Sequence, residues 1–299
     1  MCLVIQLSSC IKELDVTIPS IPQKVVINSL FCPDSILKIH VSLSEGVENE
    51  IQIVENAQIR LYENDIFLQN VSYLSKGWYS SNYHPKAGMK YKIEINVEGF
   101  DMVTAESSIP ENASILSFTC DLIENLNQNS PANSLTKLVF DDVGLDKNYY
   151  EFSTFVLIPG DNIVEFMEIG SAIQTDLSLK LDSDLEFNPK TFYFSDELFH
   201  NSEKTLLLNG LGWTNINPVN NEIENGIFSA LFKILSSEYY NFRKSWTKHV
   251  YNQNTDIHND NPIVLLFKGD PIEMYTNVNG GYGIFAGYNQ QSKEVTYIP

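Results

Sequence analysis

The stretch Tyr91 to Glu98, YKIEINVE, alternates without a break. Tyr91, Ile93, Ile95 and Val97 fall on one side, and Lys92, Glu94, Asn96 and Glu98 on the other. A period of two suits a strand with one buried face, because successive side chains of a strand point to opposite faces. Six more short apolar pieces surround it: KVVINSLF, LKIHVSLS, AQIRLYEN, IFLQNVSYL, GWYSSNY and DMVTAESSIP. Glu63-Asn64-Asp65 stands between the third and fourth and reads as a hairpin turn. Pro85 and Gly88, in HPKAGMKY, supply the turn before the alternating strand. Seven short strands spaced by turns predict a β-sandwich with Greek-key connections, immunoglobulin-like or transthyretin-like, over residues 24–112.

A chain of 299 residues has room for a second unit. LIENLNQNSPANS, Leu122 to Ser134, is polar and reads as a loop. Strand-like runs resume at LTKLVFDD, YYEFSTFVLIP, IVEFMEI, KTFYFSDELF, EKTLLLNG and GIFSALFKIL. In SSEYYNFRKSWTKHVYNQN the spacing changes, with Tyr239, Phe242, Trp246 and Val250 recurring at steps of three, four and four. That places them on one side of a helix near 237–252, with Ser236 or Ser237 as its cap. The closing PIEMYTNVNGGYGIFAGYNQQSKEVTYI reads as a last hairpin or pair of strands. The expectation is a mainly β chain: a sandwich at 24–112, then a β-rich domain at 113–299 with one amphipathic helix.

Residues 1–23 raise a separate question. Leu3, Val4, Ile5 and Leu7 form a brief apolar run, followed by Ser8, Ser9 and Cys10. Apolar run, small residues and cysteine form the pattern of a bacterial lipoprotein signal, in which the peptidase cuts ahead of the cysteine and the sulfur carries a diacylglycerol. A secretory signal also has a basic n-region and an apolar stretch of about 7–15 residues. No Lys or Arg precedes Cys10, so the natural start is expected to lie upstream. The segment behind it, with Pro19 and Pro22, is held extended and suits a tether. The competing reading is a buried or disulfide-bonded Cys10. After export, Cys32 and Cys120 remain; they either pair or stay as two buried free thiols.

The segments ENAQIRLYEND, GWYSSNYHPKAGMKYKIEINVEGF, TAESSIP, DKNYYEF, FSDELF and YTNVNGGYGIFAGY resemble a family of Bacteroidota cell-envelope lipoproteins catalogued as domain of unknown function 4249. The resemblance covers nearly the whole chain. Members begin with a lipoprotein signal ending in Ser-Cys-Ile-Lys or similar, which implies lipidation at Cys10. It also implies an outer-membrane-associated protein, often encoded beside a TonB-dependent receptor. Glu13 and Asp15, beside Lys12, resemble the export signal of surface lipoproteins in that phylum, which favours the cell surface over the periplasm.

Charge and motifs narrow the function classes. With 19 Lys and Arg against 38 Asp and Glu, a formal charge of −19 repels phosphate backbones, so no nucleic-acid partner is expected. No apolar run approaches the roughly 20 residues of a membrane-spanning helix. Gly281-x-Gly283-x-x-Ala286 matches the dinucleotide fingerprint formally, but no helix can follow it in a βαβ unit. Its glycines read as sites of tight turns or close backbone approach. Tyr282, Phe285 and Tyr288 then pack on the second domain or line a ligand groove. Asp141-Asp142 and Asp196-Glu197 read as solvated loop acids, since neighbours on a strand face opposite ways. The five histidines show no metal-ligand spacing, and no nucleophile elbow or Walker loop is present. No cofactor, no metal and no catalytic residues are expected. The functional expectation is a lipid-anchored binding or accessory partner of a TonB-dependent receptor in nutrient uptake. The alternatives are a structural or adhesive envelope protein and, further off, a carboxylate-dependent hydrolase.

Overall fold

The computed structural model describes residues 22–46, 50–123, 133–142, 144, 146–157, 164–166, 178–179, 191–211, 226–253 and 272–297. Cys10 and the tether up to residue 21 lie outside the described residues, as do the central part of the 122–134 loop and most of IVEFMEI. The seven apolar pieces of the first unit become β1 (Val25–Phe31), β2 (Lys38–Leu43), β3 (Gln58–Glu63), β4 (Ile66–Ser75), β5 (Trp78–Ser80), β6 (Lys90–Asn96) and β7 (Val103–Ser108). Their neighbours run β1-β2-β5-β4-β3-β6-β7. Three consecutive hairpin-linked strands, β3 to β5, with β2 returning beside β5, make a Greek key.

Local chemistry sets the turns. Asn64 (φ 48°) and Asp65 (φ 64°) are both left-handed, as are Lys76 (φ 48°) and Gly77 (φ 77°). Two left-handed residues between paired strands match the right-handed twist of a hairpin. The sheet bends at β4, which pairs with β3 through its first half and β5 through its second, with register breaks in both ladders. The two halves fold over a core of Val25, Ile27, Phe31, Leu37, Ile39, Leu61, Tyr79, Tyr91, Ile93, Ile95 and Phe285.

The second unit is built from β8 (Ile115–Ile123), β9 (Asn133–Asp141), β10 (Tyr149–Leu157), β11 (Val164–Phe166), β12 (Thr191–Ser195), β13 (Glu203–Leu211) and β14 (Gly226–Leu235). Helix α1 (Ser237–Gln253), β15 (Val278–Asn279) and β16 (Tyr282–Tyr297) complete the described chain. A three-stranded sheet β13-β9-β8 faces the sheet that contains β10, β12, β14 and β16. Between them lies an aromatic core of Phe118, Phe140, Tyr150, Phe152, Phe194 and Phe232. The helix covers the other face, packing Tyr239 and Tyr240 on Leu235, Ile284 and Ala286. Ser236 caps it, its hydroxyl accepting from the Tyr239 amide at 3.2 Å. Of the expected stripe Tyr239 is buried, Phe242 and Val250 are half-buried and Trp246 stays 43% exposed, while Tyr240, outside the stripe, is buried beside Tyr239.

β15 and β16 are not a hairpin. β15 pairs with β7, while β16 starts beside β1, so the link between them crosses from one layer of the first sandwich to the other. The first half of β16 runs parallel to β1, from Val26↔Tyr282 to Phe31↔Gly287. Its second half runs antiparallel to β14, from Leu235↔Tyr288 to Gly226↔Tyr297. One strand of 16 residues, about 50 Å long at roughly 3.3 Å per residue, therefore belongs to both sandwiches. The first sandwich so includes residues beyond 112. At Gly283 (φ 101°) an added methyl would run into the Ile27 carbonyl oxygen and lie 2.8 Å from its carbon. The fingerprint-like glycines serve close strand approach.

Candidate functional site

Among the described residues, the group that brings three acid or imidazole side chains together sits where β9 and β12 end and β10 begins. Asp142 follows β9, Asp196 follows β12, and the turn after Asp196 brings back His200. Asp142 and Asp196 are buried, and the His200 side chain is 43% exposed. His200 Nδ1 lies 2.7 Å from Asp196 Oδ2 and 4.0 Å from Asp142 Oδ2. One ligand atom from each of the three falls within 4.8 Å of the others.

Neutral donors hold the carboxylates. The Tyr150 hydroxyl donates to Asp142 Oδ1, and Asn148 Nδ2 does so at 3.3 Å. The Asn201 amide donates to Asp142 Oδ2, and the Asn148 amide to Asp196 Oδ2 at 3.0 Å. Burying two carboxylates side by side is costly unless donors or a cation compensate. Asp142 comes from the three-stranded sheet and Tyr150 and Asn148 from the start of β10 in the sheet facing it, so the cluster ties the two sheets together. By register it is level with Tyr149↔Leu235↔Tyr288, near the middle of β16. Chemically it offers two carboxylates and an imidazole, a set that could hold a proton or a divalent cation. Reading the acids as solvated is corrected for Asp142 and Asp196. One acid of each pair turns inward, while Asp141 and Glu197 face solvent.

A second polar group lies beneath α1. Tyr193, Glu151 and Lys233 occupy one rung across β12, β10 and β14. Lys233 Nζ lies 2.6 Å from Glu151 Oε1, with both side chains largely buried. Arg243 on the helix donates to the Tyr193 hydroxyl at 2.6 Å and stands over its ring. Burial, and then the nearby Glu151 charge, push the Tyr193 phenol well above its usual range. This group fastens the helix to the sheet by charge-assisted contacts.

The residues expected to line a groove separate along β16. Phe285 faces the first core, fully buried, with its ring 4.5 Å from that of Phe31. Tyr288 turns the other way, under α1, 5.6 Å from Tyr239. Tyr282 is 39% exposed at the strand's start, with Lys24 over its ring at 4.6 Å. Phe285, at an odd-numbered position of the strand, cannot share a groove with Tyr282 and Tyr288 at even-numbered ones. Cys32 and Cys120 are both free and buried. Burial pushes the Cys120 thiol up to about 11. The Asp142–Asp196–His200 group was missed because Asp142 lies 54 residues before Asp196 and 58 before His200; the sequence signals were an acid directly after each strand and a histidine four residues past Asp196.

No curated protein matches the chain. Among solved structures, a Salmonella alpha-2-macroglobulin is 10% identical over 75% of this chain, with a TM-score of 0.25. An Escherichia coli alpha-2-macroglobulin is 11% identical over 72%, with a TM-score of 0.23. The chain spans 14% of the length of each. A Bacteroides uniformis protein described as a candidate carbohydrate binder is 13% identical over 71% of this chain and 89% of its own, with a TM-score of 0.22. Likenesses this weak carry no function across. The family comparison is different in kind, because it spans residues 11–294 in one match: this chain belongs to the family described as Domain of unknown function (DUF4249).

Proposed function

We propose that the protein is a lipid-anchored component of the bacterial outer membrane that binds a partner and does no chemistry of its own, serving a TonB-dependent receptor in nutrient uptake. The observation that carries the reading is Ser8-Ser9-Cys10 directly ahead of the family-matched region, which starts at Ile11. The 14 residues between Cys10 and Val25 give a tether of at most about 50 Å. The fold supports an accessory role, since two sandwiches joined through one strand make a stiff body for presenting a surface. The engagement of Asp142 and Asp196 by Tyr150, Asn148 and Asn201 supports binding over catalysis.

The test is acylation in the native host. Cells fed an alkyne fatty acid should yield labelled protein that partitions into detergent, and Cys10→Ala should lose the label and leave the membrane fraction. An unlabelled native product would overturn the anchor. Co-purification from gently solubilised membranes tests the partner, and recovery free of any TonB-dependent receptor would overturn that part alone.

A further inference from the structure

The chain emerges toward its tether from one particular end of the first sandwich, and that end is apolar. Val25, the first residue of β1, pairs with Leu43 at the end of β2. Gly281, at the start of β16, approaches the Val25 carbonyl and the Val103 side chain, which fixes the same end on both layers. The β4–β5 turn points the same way, because the Val41 amide donates to Gly77 at 2.8 Å. Residues 52–54 continue this level beside β2, with Leu43 bonded to Gln52 and Val54 to Val41.

Large apolar side chains stand out from this end. Ile51 is 72% exposed, Leu74 58% and Met102 54%. Ile53, Trp78 and Tyr282 are also exposed. They come from four separate segments, so no single strand's alternation accounts for them. Such a patch on a domain surface marks a contact with something less polar than water. The second sandwich cannot cover it, because β16 enters that unit past Gly287, level with Phe31 at the other end of β1.

We infer that this end rests on the lipid surface in which the chain is anchored, with Trp78 and Tyr282 at headgroup level and Ile51, Leu74 and Met102 directed into the boundary. The inference builds on the acylation of Cys10 proposed above. A bilayer is the occupant that the tether itself brings to this end. An anchored domain faces lipid at high effective concentration, so side chains too few to bind alone suffice once tethered. Tryptophan and tyrosine suit the interface because each ring pairs an apolar body with a polar tip. The ionisable groups at this end include Lys24, Lys76 and His40, whose ring lies 5.0 Å from that of Trp78, against Glu45, Glu50, Glu55, Glu98 and Asp101. An acidic margin commits the face to zwitterionic lipid, since anionic headgroups would repel it.

The test makes the anchor chemically, so it reads the face whether or not cells acylate Cys10. The full chain with Cys2→Ser, Trp213→Phe and Trp246→Phe, its Cys10 thiol coupled to maleimide-phosphatidylethanolamine, is bound to phosphatidylcholine vesicles with brominated acyl chains. Bromine should quench Trp78 about two-fold, as expected for a ring at headgroup level. A chain keeping only Trp246 should be unaffected. Replacing Ile51, Leu74 and Met102 together with Ser should abolish the quenching. Ile66→Ser with Phe67→Ser, at the opposite end of the sandwich, should leave it intact. Adding phosphatidylglycerol should weaken it. Equal Trp78 emission with and without bromine would overturn the inference and make the same end a protein-facing surface. Quenching that survives the triple Ser substitution would overturn it too.

Discussion

Gly283→Ala strikes β16, a strand that both sandwiches share. At φ 101° the residue lies where a side chain is strained by about 1–3 kcal/mol. The added methyl also meets the backbone carbonyl of Ile27, a fully buried residue whose strand is held between β2 and β16. Forcing one carbon into a packed interior costs about 1–3 kcal/mol more. The sum, about 4 kcal/mol, should lower the urea midpoint by about 1 M, with an m-value near 3 kcal/mol/M. The shared strand adds a second requirement. Amide exchange should accelerate in β14 of the second sandwich as well as in β1, because both pair with β16. A midpoint shift below about 0.3 M would refute the steric reasoning. Faster exchange confined to β1 would refute the coupling.

Two further outcomes concern paired carboxylates, Glu151 and Glu63. Lys233→Met leaves Glu151 buried without its cation and should cost about 3–5 kcal/mol in urea unfolding. Adding Glu151→Leu should restore most of that loss, and a double variant no more stable than the single would contradict the pairing. Burial raises the pKa of Glu63, but hydrogen bonds from Tyr83 and Tyr91 and the Lys86 charge outweigh it and hold the carboxyl below its ordinary 4.5. A depressed folded value means stability that is full above pH 4.5 and lost as pH falls through the lower folded value. Glu63→Gln should therefore unfold at lower urea than the natural chain at pH 7, with the gap closing toward pH 3; an unchanged gap would rule this out.

The first sandwich was legible because one face of each strand is buried and the other wet. YKIEINV alternates in the sequence and in burial alike, with Tyr91, Ile93 and Ile95 fully enclosed. Hairpin signals at Glu63-Asn64-Asp65 were legible because left-handed turns need particular residues. β8 was overlooked although Leu116, Phe118, Cys120 and Leu122 alternate, because its polar partners Ser117, Thr119 and Asp121 merge with the Asn-rich stretch behind it. The pairing of β1 with β16 is invisible locally, since nothing in either strand names a partner some 256 residues away. The Asp142–Asp196–His200 group stayed hidden for the same reason: alternation says which face a residue takes, not what stands opposite.

β16 follows every other described element in the order of synthesis, and this bears on how the chain is made and moved. Until its last segment has emerged, β1 presents an unpaired edge and the second sandwich lacks a wall. Neither unit can complete its sheet before then, which suits the passage of unfolded chain that the proposed anchor requires. The same arrangement leaves a prematurely terminated product with two open edges at once, prone to stick to its neighbours and easily found by proteases.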